Sequence, residues 1–157
     1  MQSIIGMDLK AILVEQLTAY QRGDGGEYIC TEPVLRFQSP TDFERPLYWI
    51  LSWTETEDGD DQLLIEETYD ADTLSQIQRV EGFRESVIVS SSIYLENSSV
   101  QSVMAHGYKD VKQEFFTSLV VKLENVYVTF TSGPVFIVTI TNTFPENMDR
   151  ELFRIGE

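Results

Sequence analysis

In Phe116–Asn142, FTSLVVKLENVYVTFTSGPVFIVTITN, apolar and polar residues alternate through three runs, and a turn separates each run from the next. Leu119, Val121 and Leu123 alternate with Ser118, Lys122 and Glu124, the period of a strand with one buried face. Val120 falls on the polar side, so that side is expected to be partly covered. Glu124-Asn125 interrupts the run, and Asn suits a tight reversal. Val126, Val128 and Phe130 then share a face opposite Tyr127, Thr129 and Thr131. At Ser132-Gly133-Pro134, Gly accepts positive φ and Pro cannot donate into a ladder. The last run, Val135–Thr141, is apolar on both faces and is expected to be covered on both. An antiparallel meander over 117–142 is therefore expected.

Outward from this stretch, further strands are expected at Tyr28–Cys30, Val34–Phe37, Leu47–Thr54, Gln62–Tyr69, Glu85–Leu95 and Val100–Ala105, giving about six to eight strands in one sheet. Asp58-Gly59 is a hairpin signal that should pair Leu47–Thr54 with Gln62–Tyr69. Helical spacing is read at the N-terminus. Leu9, Ile12, Leu13, Leu17 and Tyr20 recur at intervals of three and four, Asp8 can cap, and Gly23 can stop. A long helix over about 8–22 follows, with Ile4, Ile5 and Met7 packing ahead of it. Short helices are read near 72–83, 110–116 and 146–153. The fold class expected is α+β: an antiparallel sheet with the long helix on one face.

At 157 residues with 42% hydrophobic content, one domain over 1–157 with its own core is expected. MQSIIGMDLK has no basic segment followed by an apolar one, so no secretory signal is read and a cytoplasmic location is expected. Asn97-Ser98-Ser99 is then a turn rather than a glycosylation site. No apolar run reaches the roughly 20 residues that a membrane helix needs.

The charge is one-sided. Asp and Glu number 26 against 11 Lys and Arg, a net −15. Such a surface repels nucleic acid and anionic membranes and attracts basic proteins. It also serves plain solubility. Between Glu55 and Asp61 five carboxylates fall in seven residues, and no Lys or Arg occurs from Thr54 to Asp72. The candidate partner-binding residues are Glu55, Glu57, Asp58, Asp60 and Asp61, with Trp53 beside them as a possible anchor. As a calcium loop the stretch fails: Leu63 stands where an EF-hand has Gly, and Tyr69 where it has Glu.

Catalytic and cofactor signatures are absent. Cys30 is the single cysteine and His106 the single histidine, too few for a zinc site without carboxylate help. Cys30 sits in an apolar strand, where burial makes a thiol inert. Gly23-Asp24-Gly25-Gly26 is followed by a strand rather than by the helix of a phosphate loop. Ser90-Ser91-Ser92 lacks the glycines of a hydrolase elbow. Glu66, Glu67 and Glu114 are candidates for half-buried acids. No catalytic residue, metal or cofactor is assigned.

Three functions remain open. The first is a non-catalytic acidic interaction module for a basic protein, in the manner of toxin-neutralising or nucleic-acid-mimicking proteins, an analogy of size and charge only. The second is a small-ligand binder with a pocket between helix and sheet. The third is an enzyme using two carboxylates in one cleft.

Overall fold

The computed structural model describes residues 3–14, 17–22, 25–70, 74, 77–79, 86–88 and 91–157. These residues are all strand, turn and loop. The strands are β1 (Asp8–Val14), β2 (Leu17–Arg22), β3 (Gly25–Cys30), β4 (Val34–Gln38), β5 (Leu47–Glu55), β6 (Asp61–Thr68), β7 (Ile77–Arg79), β8 (Ser86–Ile88), β9 (Ser91–Tyr94), β10 (Ser102–Lys109), β11 (Glu114–Lys122), β12 (Tyr127–Thr131), β13 (Phe136–Thr141) and β14 (Arg150–Gly156). A five-stranded sheet runs β6-β5-β4-β1-β9, a seven-stranded sheet runs β14-β10-β11-β12-β13-β3-β2, and β7 pairs with β8. Every pairing is antiparallel. The class is all-β, not α+β.

The two large sheets bury one common core. Leu9, Ile12 and Val14 of β1, Leu35 and Phe37 of β4, and Leu47, Trp49 and Leu51 of β5 meet Val121 of β11, Val128 and Phe130 of β12, and Phe136 and Val138 of β13. This is the sandwich arrangement, in which alternate residues of both sheets interdigitate. Trp49 and Phe37 lie edge to face, with ring centroids 5.1 Å apart.

The expected helix over 8–22 is two strands in two different sheets, and β1 explains the misreading. It sits between β4 and β9, and its register slips between Leu9 and Ala11. That bulge puts Leu9 and Ile12 on one face, a spacing of three that imitates a helix. Ala11 and Leu13 face the opposite way into a second apolar cluster with Val34, Tyr48 and Leu74. A strand buried on both faces is a continuous apolar run, which periodicity alone does not separate from a helix. Ile4 is fully buried and Met7 packs on the core, while Ile5 is exposed.

The short helices are corrected too. Within 72–83 the described residues are Leu74, which is not helical, and β7, and the rest of that range lies outside them. At 110–113 there is a turn, in which Asp110 Oδ1 accepts the Lys112 and Gln113 amides at 2.7 and 2.8 Å. Residues 114–116 are the start of β11. At 146–153 a loop leads into β14.

The meander lies at β11, β12 and β13, with Val120 fully buried on the outer face. β13 departs from expectation, because Ile137 on its outer face is exposed. The β5–β6 hairpin pairs Tyr48 with Thr68 through to Glu55 with Asp61. Part of the expected strand over 85–95 is present as β8 and β9, the latter including Ser91 and Ser92; Gly25 and Gly26 belong to β3 rather than to a loop, and Gly23, Asp24 and Ser90 lie outside the described residues.

Candidate protein-interaction site

The acidic segment forms the tip of the β5–β6 hairpin. The Thr56 amide donates to the Asp60 carbonyl at 2.8 Å, and the Gly59 amide donates to the Thr56 carbonyl at 2.9 Å. Gly59 takes φ +84°, the left-handed position that closes a three-residue hairpin loop. The Thr56 hydroxyl accepts the Asp60 amide at 3.1 Å. Glu55, Glu57, Asp58 and Asp60 are exposed and Asp61 is half-buried. Like charges on facing strand ends repel, and water is the medium that weakens the repulsion most. None of the five carboxylates forms an ion pair with a described Lys or Arg. The pairs elsewhere are Lys10 with Asp8, Lys109 with Glu114, and Arg154 with Glu151.

Strand β6 contacts β11 of the other sheet, which brings the tip beside the β10–β11 turn. Between them lies a cleft of about 590 Å³, with Glu55, Glu57 and Asp58 on one wall and Asp110, Val111, Lys112 and Phe115 on the other; Lys112 lines the cleft without forming an ion pair with the tip. Val111 is fully exposed at its rim. On the other side of the tip a cleft of about 380 Å³ is lined by Asp60, Asp61, Tyr108, Thr117 and Asp149. Tyr108 stacks on Phe115 at 5.1 Å. Its phenol is held above the usual value, first by loss of water and then by Asp60, Asp58 and Asp110. The structure therefore adds Asp110 and Asp149 to the five acids of the tip. They are 40 or more residues away along the chain, and only the packing of one sheet on the other brings them there. Asp110, as a turn-initiating Asp before Lys112-Gln113, was open to recognition as a turn, but not as a neighbour of the tip.

Trp53 is half-buried and packs against the core, so it supports the tip from beneath. Trp49 is fully buried and donates its Nε1–H to Glu67 Oε2 at 2.9 Å. Glu66 is exposed on the opposite side of β6, and Glu114 pairs with Lys109. These three acids do not meet in a common cleft. Cys30 lies in the core, where burial pushes its thiol up to about 12. His106 belongs to the outer face of the same sheet, so the two are not a catalytic pair. The pocket expected between helix and sheet loses its wall with the helix. Among the described residues no group of three or more His, Cys, Asp or Glu side chains is placed to hold a metal ion, and no helix is long and apolar enough to cross a membrane.

No family model matches the chain, and comparisons with curated proteins and with solved structures return no match.

Proposed function

We propose that the chain is a non-catalytic interaction module that engages a basic protein surface through the β5–β6 tip. The observation that carries this reading is the unpaired state of the tip. Glu55, Glu57, Asp58, Asp60 and Asp61 project together, form no ion pair with a described base, and flank two clefts that also bear Asp110 and Asp149. A basic partner supplies the missing countercharge. Long-range attraction speeds encounter, and the cleft beside Val111 and Phe115 gives side chains of the partner a place to lodge.

The test is a partner capture at low salt using two variants of equal net charge. One neutralises Glu55, Glu57, Asp58, Asp60 and Asp61 as amides. The other neutralises Glu44, Glu96, Glu124, Glu146 and Glu157. The tip variant should lose at least about tenfold in affinity and the control much less, because exposed charge pairs contribute about 0.2–1 kcal/mol each. Salt at about 0.5 M, where screening acts over roughly 4 Å, should release the wild-type complex. Equal losses in both variants would reduce the tip to a solubilising element.

A further inference from the structure

The chain between β13 and β14 has an unusual path. These strands are separated in the sheet by β12, β11 and β10. Residues 142–149 must therefore cross four strand spacings, roughly 19 Å, which a segment of that length spans when extended. The inner face of the sheet is filled by the core, so the crossing runs over the outer face. Phe144 marks its course: its ring lies 5.6 Å from Tyr127 of β12 and 6.0 Å from His106 of β10.

The strap is lightly held. Among the described residues no main-chain hydrogen bond ties 142–149 to the sheet. Its fastenings are the Thr141 hydroxyl donating to the Thr143 carbonyl at 2.8 Å, the Thr117 hydroxyl donating to Asp149 Oδ2 at 2.6 Å, and His106 Nδ1 at 2.9 Å from the Asp149 carbonyl. Phe144 remains 42% exposed. A carbonyl only accepts, so Nδ1 carries the proton and Nε2 keeps a bare lone pair. That Nε2 is out of water without a partner, and so is the hydroxyl oxygen of Thr129 on β12. Both residues are more than nine-tenths buried on the outer face. Buried polar atoms left unmatched raise the free energy of the closed arrangement. Opening the strap returns His106 Nε2 to water and loosens the cover next to Thr129, two residues along β12 from the Tyr127 that Phe144 packs on, while the core beneath stays packed.

We infer that residues 142–149 form a lid that opens as a unit on the intact seven-stranded sheet and exposes His106 Nε2. The charged neighbours of the imidazole do not hold the lid down: Glu151, opposite His106 on β14, is occupied with Arg154 through bonds of 2.8 and 2.6 Å. On this face His106 and Ser118 are buried in one row whose Thr131 end is already exposed, and the next row, Met104, Val120 and Thr129, is buried too. The strip is uncharged, partly hydrogen-bonding and partly apolar, on an otherwise acidic molecule.

The chain holds its own pair of reporters, because it has one histidine and one cysteine. Cys30 faces the core and reports unfolding of the sandwich. His106 faces the lid and reports its opening. Native protein is treated near neutral pH with diethyl pyrocarbonate, which acylates an exposed imidazole lone pair, and in parallel with a disulfide reagent for Cys30. Mass spectrometry follows both across a urea series below the unfolding transition. His106 should react at least about tenfold faster than Cys30, relative to each group's rate in the unfolded chain, and with a much shallower urea dependence. Thr117→Val should speed the His106 reaction several-fold and lower the unfolding free energy by no more than that fold-change corresponds to, leaving the Cys30 rate far behind, and Phe144→Ala provides the same reading should that variant fold poorly. Thr129→Val, which removes the unmatched hydroxyl, should slow it several-fold. A His106 rate that tracks Cys30 through the series would overturn the lid, as would a Thr129→Val variant that reacts faster.

Discussion

The β5–β6 tip and the 142–149 strap solve opposite problems on the same scaffold. At the tip, charges that repel one another are carried out into water, and a tight loop around Gly59 keeps them there. At the strap, polar atoms are pressed out of water by a segment that does not satisfy them. One region is well bonded in its backbone and uncomfortable in its charge. The other lies over uncharged side chains, although its own Asp149 lines the smaller cleft beside the tip, and it is poorly bonded. The comparison teaches that the molecule's two sources of unspent free energy lie in different physical terms, electrostatic at one and hydrogen bonding at the other, so that different conditions release each.

The largest effect is expected from removing what the two regions share. Phe130 is fully buried in the core and reaches both sheets' packing. Phe130→Ala should lower stability by about 3–5 kcal/mol in urea unfolding, and tip and strap should then fail together. A smaller effect separates them. Gly59→Val forces a β-branched residue to φ +84° and should cost about 1–3 kcal/mol, measured by the same unfolding series, while leaving the His106 reaction unchanged below the transition. Smaller again, Thr129→Val should raise stability by about 1 kcal/mol with no dependence on salt, whereas Asp60→Asn with Asp61→Asn should raise it by a few tenths to about 1 kcal/mol at low salt only. Salt dependence appearing in the first, or persisting in the second, would merge the two regions into one electrostatic account.

The smallest expected effect lies at the strand that receives the strap. Arg154 holds the Glu151 carboxyl below its ordinary value of 4.5, chiefly through the hydrogen bond and then by charge. A carboxyl lowered in the folded state adds stability that is present above the unfolded value and is lost as pH falls through the folded one. The pair is more than a third exposed on both sides, so screening leaves only about 0.2–0.5 kcal/mol. Urea midpoints taken downward from about pH 6 should fall slightly less in Glu151→Gln than in the wild type. For Cys30 the direction is opposite: burial raises the thiol to about 12, so it stays protonated and unreactive at neutral pH until the sandwich opens.

Much of the strand content was legible because half-buried strands advertise themselves. Leu119, Val121, Val128, Phe130, Phe136 and Val138 all alternate with polar neighbours or sit between clear turns, and all face the core. The Asp58-Gly59 turn was legible for the same local reason. The acid-rich tip was legible as composition, and so was Cys30 as a buried, inert thiol. The helix over 8–22 was misread because β1 is covered on both faces and carries a bulge, so that Leu9 and Ile12 mimic a helical pair. The helix near 110–116 was misread because Val111, Phe115 and Phe116 sit at helical spacing, whereas Val111 is fully exposed on a turn closed by Asp110 and Phe115 and Phe116 are strand residues of β11.

The amino-acid order alone determined the excess of negative charge, the cluster of carboxylates around one hairpin loop, the meander, and the single Cys and single His. These are local or additive properties, set by neighbours in the chain and by counting. Tertiary structure decided that β1 and β2 belong to different sheets, that Asp110 and Asp149 join the tip, that Cys30 and His106 look away from each other, and that 142–149 crosses over unmatched polar atoms. Each of these depends on which strands pair across long separations. Pairing of that kind is fixed by the burial of two faces at once, a condition that no short window of residues contains.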